Sequence, residues 1–535
     1  MPAVGRSSVA AGAGSNGKFQ NVNDDYVLDT DYTWGYYGGQ SPAAMAYAAR
    51  LNGVEPPSLN GEFRYLELGC GNGVTANILA SMFPHGEFVA ADLNADHVKN
   101  GSALAATGQL SNIRFIETSF AELAESDDDP FDFISLHGVY SWVGETVRND
   151  IIKVLSKHLK SNGLVYVSYN AMPGWAALSP LRQLMVTYAE NKSGSSIERA
   201  RASIRYLEFL RDNNAAYFVQ YPECGAFVDN LLKDDLKYVV HEYFNASWEP
   251  QYFSEVATDM SEAELRFCGT TVWPKNYLDL CIPGEFQEIL LSADSDFTRE
   301  THKSLILNER FRTDIYSRNS ATLSGRERAG LFSELYFSSV VPEEEIARKI
   351  RVGPVDVKYD ADIYDVLIPI LCDGETSVEA LWDNPDLARY SESFIAESVN
   401  NLVPGGQFQP MLSPSRRRTL VPFDDFSIRS DINRELVTQR LLSDGGCFQA
   451  SPVLGTALRL DLLSGLIVLG TDAKGPDGAV DHAVDTLIRV GQTLQIDGKL
   501  IEDIDECRAM LVAEQKKFNN RGLGLLEKFG VIEPR

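Results

Sequence analysis

Cysteine is scarce in this sequence, and what is absent excludes several classes of protein. The seven cysteines are odd in number and include no CxxC pair, which predicts neither a disulfide framework nor a zinc or other metal site. No run of about eighteen apolar residues occurs, so no membrane-spanning helix is expected. Residues 1–20 are rich in Gly, Ala and Ser and lack the apolar core of a signal peptide, which indicates a flexible tail. These features predict a cytoplasmic protein without a membrane partner.

Basic residues are few relative to acidic ones. The chain has 48 Lys and Arg against 75 Asp and Glu, which gives a net charge of −27. A surface with this balance repels phosphate backbones, so nucleic acid is not expected as a partner. Basic proteins, peptides or small amines fit the charge better. The sequence leaves the oligomeric state open.

Strands and helices alternate between residues 62 and 170, which predicts an α/β fold with a parallel sheet. The predicted strands are 63–68, 87–93, 113–116, 131–136 and 164–169, and the predicted helices between them are 74–83, 95–106 and 147–159. Beyond Trp175 the periodicity becomes helical, which indicates an insertion or lid at 171–250. A segment at 251–285 is expected to complete the sheet.

Glycines dominate the turn after the first predicted strand, which reads Glu67-Leu68-Gly69-Cys70-Gly71-Asn72-Gly73. Glycines let a backbone approach a ligand closely, and the following helix directs its free N–H groups to the same place. Dinucleotide enzymes hold a pyrophosphate at such a turn. The carboxylate of Glu67 would repel a pyrophosphate, whereas it could engage an ammonium group directly or through water. The turn therefore favours a ligand that carries an amino acid over NAD.

A second acid ends the second predicted strand. Asp92, followed by Leu93, lies 23 residues after Gly69. A carboxylate there can accept hydrogen bonds from ribose hydroxyls. The alternatives are structural: Glu67 could be a surface carboxylate and Asp92 a helix N-cap. Together, the acid before the turn, the turn itself and Asp92 favour a ligand-binding role for the two acids over these structural roles.

This set resembles the E/DxGxGxG motif of the class I methyltransferases. The resemblance implies a Rossmann-like, seven-stranded sheet and S-adenosyl-L-methionine as cofactor, with S-adenosyl-L-homocysteine as product. Many members have an acid after the third strand to meet the adenine amine, whereas here Ser119 could take that place with Phe120 against the ring. The implied cofactor-binding residues are Glu67, Gly69, Cys70, Gly71, Gly73, Asp92, Leu93, Ser119, Phe120 and His137.

Three further strings narrow the resemblance. They are His137-Gly138-Val139-Tyr140-Ser141-Trp142, Val167-Ser168-Tyr169-Asn170-Ala171-Met172-Pro173-Gly174-Trp175 and His241-Glu242-Tyr243-Phe244-Asn245. They are similar to strings of bacterial methyltransferases that carry a methyltransferase regulatory domain, some of which are protein-lysine methyltransferases acting on surface proteins. The resemblance covers roughly residues 26–300. The segment 32–42 departs from the family pattern, so the identity of the substrate does not transfer.

Polar and aromatic side chains follow the fourth and fifth predicted strands, where an open parallel sheet binds its ligand. The catalytic candidates there are His137, Tyr140, Tyr169 and Asn170. A histidine or tyrosine could relay the proton of an amine nucleophile, and aromatic faces suit an ammonium substrate. The substrate candidates are Trp34, Tyr36, Tyr37, Tyr140 and Trp175, with Trp142 as a further member of the cage. The alternative for these residues is a structural hydrogen bond or core packing.

The leading functional hypothesis is therefore N-methylation of a protein lysine side chain or another amine. Methylation of a small molecule at N, O or S is a second hypothesis, and a non-catalytic, cofactor-binding scaffold is a third. The expected organisation is a methyltransferase domain at 21–295 and a separate, mainly helical, winged-helix-like region at 296–535 that contacts the substrate or a partner. The basic cluster Arg416–Arg418 is interpreted as solvated surface.

Overall fold

The computed structural model describes most of the chain. The described residues are 34–245, 247–318, 323–415, 425–441, 446–490, 494–496, 499–501, 503–520 and 522–535. The predicted tail at 1–20 and the cluster Arg416–Arg418 lie outside them. None of the helices within the described ranges is long and apolar enough to cross a membrane.

Within the described residues, a seven-stranded mixed sheet forms the centre of the fold. Its strands are β1 (Phe63–Leu68), β2 (Gly86–Asp92), β3 (Ile113–Glu117), β4 (Phe131–Leu136), β5 (Leu159–Asn170), β6 (Arg266–Thr270) and β7 (Phe311–Ser317). Their order is β3-β2-β1-β4-β5-β7-β6. Strands β1 to β5 are parallel, whereas β7 is antiparallel to β5 and β6. The predicted Rossmann-like sheet is confirmed, and the carboxyl ends of β1 to β5 share one edge.

Helices connect the parallel strands and cover the sheet. They are α1 (Pro42–Leu51), α2 (Val74–Met82), α3 (Ala95–Thr107), α4 (Phe120–Glu125) and α5 (Glu145–His158). The alternation of strands and helices along the chain agrees with the sequence periodicity, and parallel strands joined in this way generally have right-handed crossovers. Helix α1 begins with Ser41, which accepts a hydrogen bond from Ala43 N–H, and with Pro42 in its first turn.

Five helices fall into a compact unit that comprises residues 142–144 and 174–249 of the described chain. They are α6 (Ser179–Glu190), α7 (Ser196–Asp212), α8 (Ala216–Gln220), α9 (Cys224–Leu231) and α10 (Leu236–Tyr243). Trp175 lies in the core of this unit, with its ring 5.0 Å from that of Trp248. Arg182 Nε donates to the Tyr243 carbonyl at 2.8 Å, which connects α6 to the end of α10.

The second compact unit comprises residues 34–141, 145–173 and 250–535. After α11 (Phe253–Glu262) and β6 it continues with α12 (Leu278–Cys281), α13 (Gly284–Leu291) and α14 (Asp296–Leu307) before β7. Strand β7 lies past residue 295, where the sequence interpretation placed the end of the domain. The reason is its composition: Arg312 and Asp314 are both buried in β7 and bonded to each other, so the strand has no apolar run.

The C-terminal part is mainly helical, as predicted, with two-stranded sheets between its helices. Its helices are α15 (Gly325–Gly330), α16 (Asp362–Asp373), α17 (Val378–Trp382), α18 (Glu392–Asn400), α19 (Asp431–Arg440), α20 (Leu462–Val490), α21 (Ile504–Asn520) and α22 (Gly522–Lys528). Its strands are β8 (Tyr336–Ser339), β9 (Lys349–Val352), β10 (Val355–Lys358), β11 (Phe408–Met411), β12 (Phe426–Ile428), β13 (Gly446–Ser451), β14 (Thr456–Asp461), β15 (Leu494–Ile496), β16 (Lys499–Ile501) and β17 (Ile532–Pro534). Helix α20 is interrupted at Gly475, which has a φ of 73°.

This C-terminal part shares a core with the sheet. Ile432, Leu436 and Ala450 are buried in the same apolar cluster as the residues of α1, α2 and β1. The Ser41 hydroxyl, at the start of α1, donates to the Gly455 carbonyl. Because apolar side chains from both regions are buried in one core, the C-terminal part packs against the sheet and α1. The hydrogen bond of Ser41 also holds the start of α1 against the C-terminal part.

Candidate functional site

The glycine-rich turn adopts a conformation that side chains would prevent. Gly69, Gly71 and Gly73 have φ values of 72°, 54° and 71°. A Cβ on Gly73 would lie 2.4 Å from Phe115 Cε1, and one on Gly69 would lie 2.6 Å from Val139 Cγ2. The three glycines are therefore required by backbone conformation, and two of them also by space. They bring the backbone and the N-terminal end of α2 to the edge of the sheet.

Asp92 holds this turn from the end of β2. Its Oδ2 accepts from Gly71 N–H at 2.8 Å, and its Oδ1 accepts from Asn94 N–H at 2.9 Å. His97 Nδ1 lies 3.2 Å from Oδ1. The N-cap of α3 is Asn94 and not Asp92, which removes the helix-cap alternative for this acid. Because a carboxylate has about four lone-pair positions and three of them are used by these groups, Asp92 keeps capacity for one ligand hydroxyl, at Oδ2.

Glu67 is a buried carboxyl at the other side of the turn. Glu67 is 4% exposed, and its Oε2 has no hydrogen-bond partner among the described residues. Burial raises the pKa of Glu67 to about 8; the Gln40 side chain opposes the rise and the charge of Asp92 adds to it. A buried carboxyl with a free oxygen fits a cationic partner, because an ammonium group would supply both the hydrogen bond and the compensating charge. The surface-carboxylate alternative for Glu67 is thereby excluded.

The remaining cofactor candidates lie around the same edge. Ser119 is the N-cap of α4 and forms a capping box with Glu122, and Phe120 follows it half-buried. Leu93 is 55% exposed, which leaves its side chain available beside Asp92. Cys70 is buried, and burial raises the pKa of its thiol. This set fits a ligand with an ammonium group at one end, a hydroxyl beside Asp92, and an apolar ring beyond it.

An aromatic stack stands at the end of β4. The ring of Tyr37 is stacked on the imidazole of His137, with centroids 3.8 Å apart. His137 Nδ1 lies 2.8 Å from the Tyr166 hydroxyl. Tyr37 N–H donates to Thr75 Oγ1 at 3.2 Å, which fixes Tyr37 beside the first turn of α2. The stack therefore joins the carboxyl end of β4 to the helix that follows the glycine turn.

His137 is neutral in this environment, because burial lowers its pKa to about 3. Tyr166 is a residue that the sequence reasoning missed. Its signal was the alternation of side chains along β5, which puts Tyr166 and Ser168 on the same face of the strand. Gly138 N–H donates to Ser168 Oγ at 3.0 Å, so this face of β5 holds both His137 and the residue after it.

The other catalytic candidates are placed elsewhere. The Tyr140 hydroxyl donates to Asp259 Oδ2 at 2.5 Å, and burial followed by this hydrogen bond raises its pKa well above the usual value. The Tyr169 hydroxyl donates to Asp314 Oδ2 at 2.6 Å, within a buried ion network. Asn170 is buried at the end of β5, and its backbone N–H donates to Ser141 Oγ at 2.9 Å. Neither hydroxyl joins the stack of Tyr37, His137 and Tyr166.

The aromatic substrate candidates also separate. Of the residues before α1, Tyr37 is in the stack, whereas the Tyr36 hydroxyl lies 2.9 Å from Thr456 Oγ1 and accepts from Ala457 N–H at 3.0 Å. Trp34 is half-buried against the shared core. Trp175 lies in the core of the insertion, and Trp142 Nε1 donates to the Glu242 carbonyl at 3.2 Å. The structure thus brings Tyr37 to His137 and uses Tyr36 to anchor the segment.

Comparison with known proteins finds two family models in the chain. A family model described as a methyltransferase domain matches residues 59–215, and one described as a predicted methyltransferase regulatory domain matches 235–318. Uncharacterized protein sll1526 of a Synechocystis strain is 32% identical over 515 residues, which cover 95% of this chain and 99% of that protein. Uncharacterized protein RP789 of Rickettsia prowazekii is 29% identical over 54% of this chain and 52% of its own length.

A solved structure shares the fold over nearly the whole chain. PKMT2 from Rickettsia typhi in complex with AdoHcy has a TM-score of 0.69 and 17% identity, and the match covers 94% of this chain and 99% of that one. The residues matched by the regulatory-domain model contain β6 and β7. The region named for regulation therefore supplies two of the seven strands of the central sheet in the described chain.

Proposed function

Because this chain belongs to the S-adenosylmethionine-dependent methyltransferases that carry a methyltransferase regulatory domain, we propose that it methylates an amine nitrogen and that the acceptor is a protein lysine side chain. The observation that carries the amine assignment is the stack of Tyr37, His137 and Tyr166 beside the cofactor turn. The resemblance of the strings after β4 and β5 to protein-lysine methyltransferases supports the finer choice of lysine.

In this proposal the turn and the two acids hold the cofactor. Glu67 meets its ammonium group, Asp92 meets a ribose hydroxyl, and the glycines at 69, 71 and 73 let the backbone approach the methionine portion. Ser119 and Phe120, at the start of α4, are assigned to the adenine. When bound, S-adenosylmethionine supplies an electrophilic methyl group that passes to the acceptor nitrogen, while the sulfur leaves as S-adenosylhomocysteine.

The stack positions the acceptor and favours its reactive form. The face of the half-buried Tyr37 attracts a cation, which brings the ammonium form of an amine to the site. His137 is neutral, so it adds no repulsion toward a cation. Burial against uncharged rings then disfavours the charged form and lowers the pKa of the amine, which loses its proton to solvent before it attacks. With a pKa near 3, His137 is a poor proton acceptor. Its role is to line the acceptor site in an orientation fixed by its hydrogen bond to Tyr166.

A labelling experiment tests the assignment. The protein is incubated with methyl-labelled S-adenosylmethionine and lysine-rich peptides, or with a metabolite extract, and the products are hydrolysed and searched for methyllysine. We expect label in lysine, and a Tyr37→Ala variant should lose about tenfold in kcat/KM because a cation–π contact contributes roughly 1–2 kcal/mol. Tyr37→Phe, which keeps the ring, serves as the matched control. Label that enters only a small-molecule hydroxyl or thiol overturns the proposal.

The cytoplasmic location predicted from the sequence is a further part of the proposal. All seven cysteines carry free thiols in the structure, and six of them are buried. Titration of the unfolded protein without reductant should therefore find seven reactive thiols. A lower number after purification from the native host would contradict a reducing compartment.

A further inference from the structure

A cleft of about 470 Å³ opens between the segment before α1 and the C-terminal part of the same compact unit. One wall contains Gly38, Gly39 and α1, and the opposite wall contains residues between 403 and 412. The volume is typical of a site for a small molecule or a short stretch of peptide. Nothing in the cofactor-binding set lines this cleft.

One end of the cleft adjoins the aromatic stack. A Cβ on Gly39 would lie 3.1 Å from Tyr166 Cε2 and 2.7 Å from Thr271 Oγ1, so Gly39 packs directly against these two side chains. Tyr166 is the residue whose hydroxyl holds His137. A ligand in the cleft beside Gly39 is therefore next to the residue that packs on Tyr166, close to the stack to which the proposed function assigns the acceptor nitrogen.

The other end is marked by a cation. The residues of α1 that line the cleft are Ala43, Ala44, Tyr47 and Arg50. This spacing of three and four residues forms one stripe along two turns of helix, so the cleft follows α1 from its first turn to its last. With a rise of about 1.5 Å per residue, Arg50 lies about 10 Å along the helix from Ala43.

Arg50 has no direct ion-pair partner among the described residues. No hydrogen bond or ion pair of its guanidinium is formed within them, although the residue is half-buried. Burial lowers the pKa of Arg50 to about 10, and the charges of Glu334 and Glu55 oppose this from beyond ion-pair distance. Trp273, also in the wall of the cleft, has a buried indole N–H without an acceptor. A guanidinium in the wall of a cleft without a direct partner fits an anionic group with planar acceptors.

We propose that Arg50 is a specificity-determining residue that binds a carboxylate of the methyl acceptor, namely an aspartate or glutamate near the target lysine in an extended peptide segment. The assignment rests on the proposed function, since it takes the acceptor to be a protein lysine. The acidic surface of the whole chain, with a net charge of −27, repels carboxylates in general, so one arginine without a direct ion-pair partner gives a localised preference. A carboxylate bound there would be held by charge-assisted hydrogen bonds.

The length of the cleft sets the number of residues between the target lysine and the acidic residue of the acceptor. An extended chain advances about 3.3 Å per residue, so a path of about 10 Å along α1 corresponds to roughly three residues. The preferred acceptor therefore has its acidic residue about three to four positions from the lysine. This spacing distinguishes the cleft from a general preference for acidic or basic peptides.

Peptides with one lysine and either Glu or Gln at three or four positions from it test the inference. With the wild-type protein we expect the KM of the Glu peptide to be about tenfold lower than that of the Gln peptide, with equal kcat, which is typical of one charge-assisted contact. Arg50→Gln should raise the KM of the Glu peptide alone. Arg50→Glu should instead favour a peptide with Arg at that position, which a merely structural role would not produce.

Two measurements keep the result interpretable. Arg326→Gln changes an arginine whose side chain is 82% exposed and should leave both peptides unaffected. Calorimetry with S-adenosylhomocysteine should show that the Arg50 variants still bind it.

Methyllysine that forms equally in the Glu and Gln peptides overturns the carboxylate subsite and leaves the lysine assignment standing. If glutarate changes the KM of the Gln peptide but the Glu peptide has no advantage, the carboxylate is a free metabolite and the inference is also overturned. Absence of methyllysine from every peptide overturns the proposed function itself.

Discussion

The ionisation of Glu67 couples the stability of the free protein to pH. Burial raises its pKa from 4.5 to about 8 in the folded chain. A pKa that is higher in the folded state means that its contribution to stability is complete below pH 4.5 and is lost as the pH rises to 8. The difference of about 3.5 units corresponds to about 5 kcal/mol at about 1.4 kcal/mol per unit. Most of this loss falls between pH 5 and pH 8.5.

Replacement of Glu67 by Gln removes the ionisation and keeps the shape of the side chain. Relative to this variant, the wild type without cofactor should lose about 4 kcal/mol of unfolding free energy between pH 5 and pH 8.5. Urea unfolding at the two pH values measures the difference, and other titrating groups cancel between the two proteins. Glu62→Gln, at an exposed glutamate just before β1, is the matched control and should behave as wild type.

Cofactor binding gives an independent measurement of the same group. At pH 7 a carboxyl with a pKa of about 8 is about nine-tenths protonated, so pairing with an ammonium group must release nearly one proton. Calorimetry in two buffers with different ionisation enthalpies measures this release. We expect about 0.9 proton for the wild type and none for the Glu67→Gln variant. Affinity should also rise by roughly an order of magnitude from pH 6.5 to pH 8.

Two results would refute this reasoning. If the wild type and the Glu67→Gln variant lose stability in parallel with pH, the carboxyl is not held in the neutral form by burial. If S-adenosylmethionine binds without release of a proton, Glu67 does not ionise on binding and its role toward the ammonium group is wrong. The first result concerns the free protein alone, so the two can be separated.

Three further substitutions test other parts of the site. Asp92→Ala removes the acceptor of Gly71 N–H and the proposed ribose contact, and calorimetry should show about a tenfold to hundredfold loss of affinity for S-adenosylhomocysteine; unchanged affinity would remove Asp92 from the site. Gly73→Ala places a Cβ 2.4 Å from Phe115 Cε1 at a φ of 71°, which should destabilise the fold by about 2–5 kcal/mol in urea unfolding. A variant as stable as wild type would show that the turn can relax. Arg312→Ala leaves three buried carboxylates without their shared cation and should cost about 3–5 kcal/mol in the same assay, or prevent folding; a stability loss below 1 kcal/mol would contradict the role given to this network.

The sequence alone predicted the cofactor turn because its signals are local. Glu67, the glycines and Asp92 lie within thirty residues of one another, and strand periodicity places both acids at strand ends. The sheet was predictable for the same reason, since β1 to β5 alternate with helices along the chain. Strand β7 was not located, because it contains a buried Arg312 whose partners come from α14 and the loop after it.

Only the tertiary structure decided which aromatic residues meet. Tyr36 and Tyr37 are adjacent and of the same type, yet one hydroxyl binds Thr456 and the other ring stacks on His137. Tyr140 and Tyr169 follow or end strands as the sequence indicated, but their hydroxyls bind carboxylates outside the stack. Such choices depend on residues distant in sequence, which a local pattern does not contain. The sequence by itself therefore determined the turn and the two acids to which the cofactor is assigned, and the packing of the C-terminal part against the segment before α1 determined which aromatic side chains lie beside that turn.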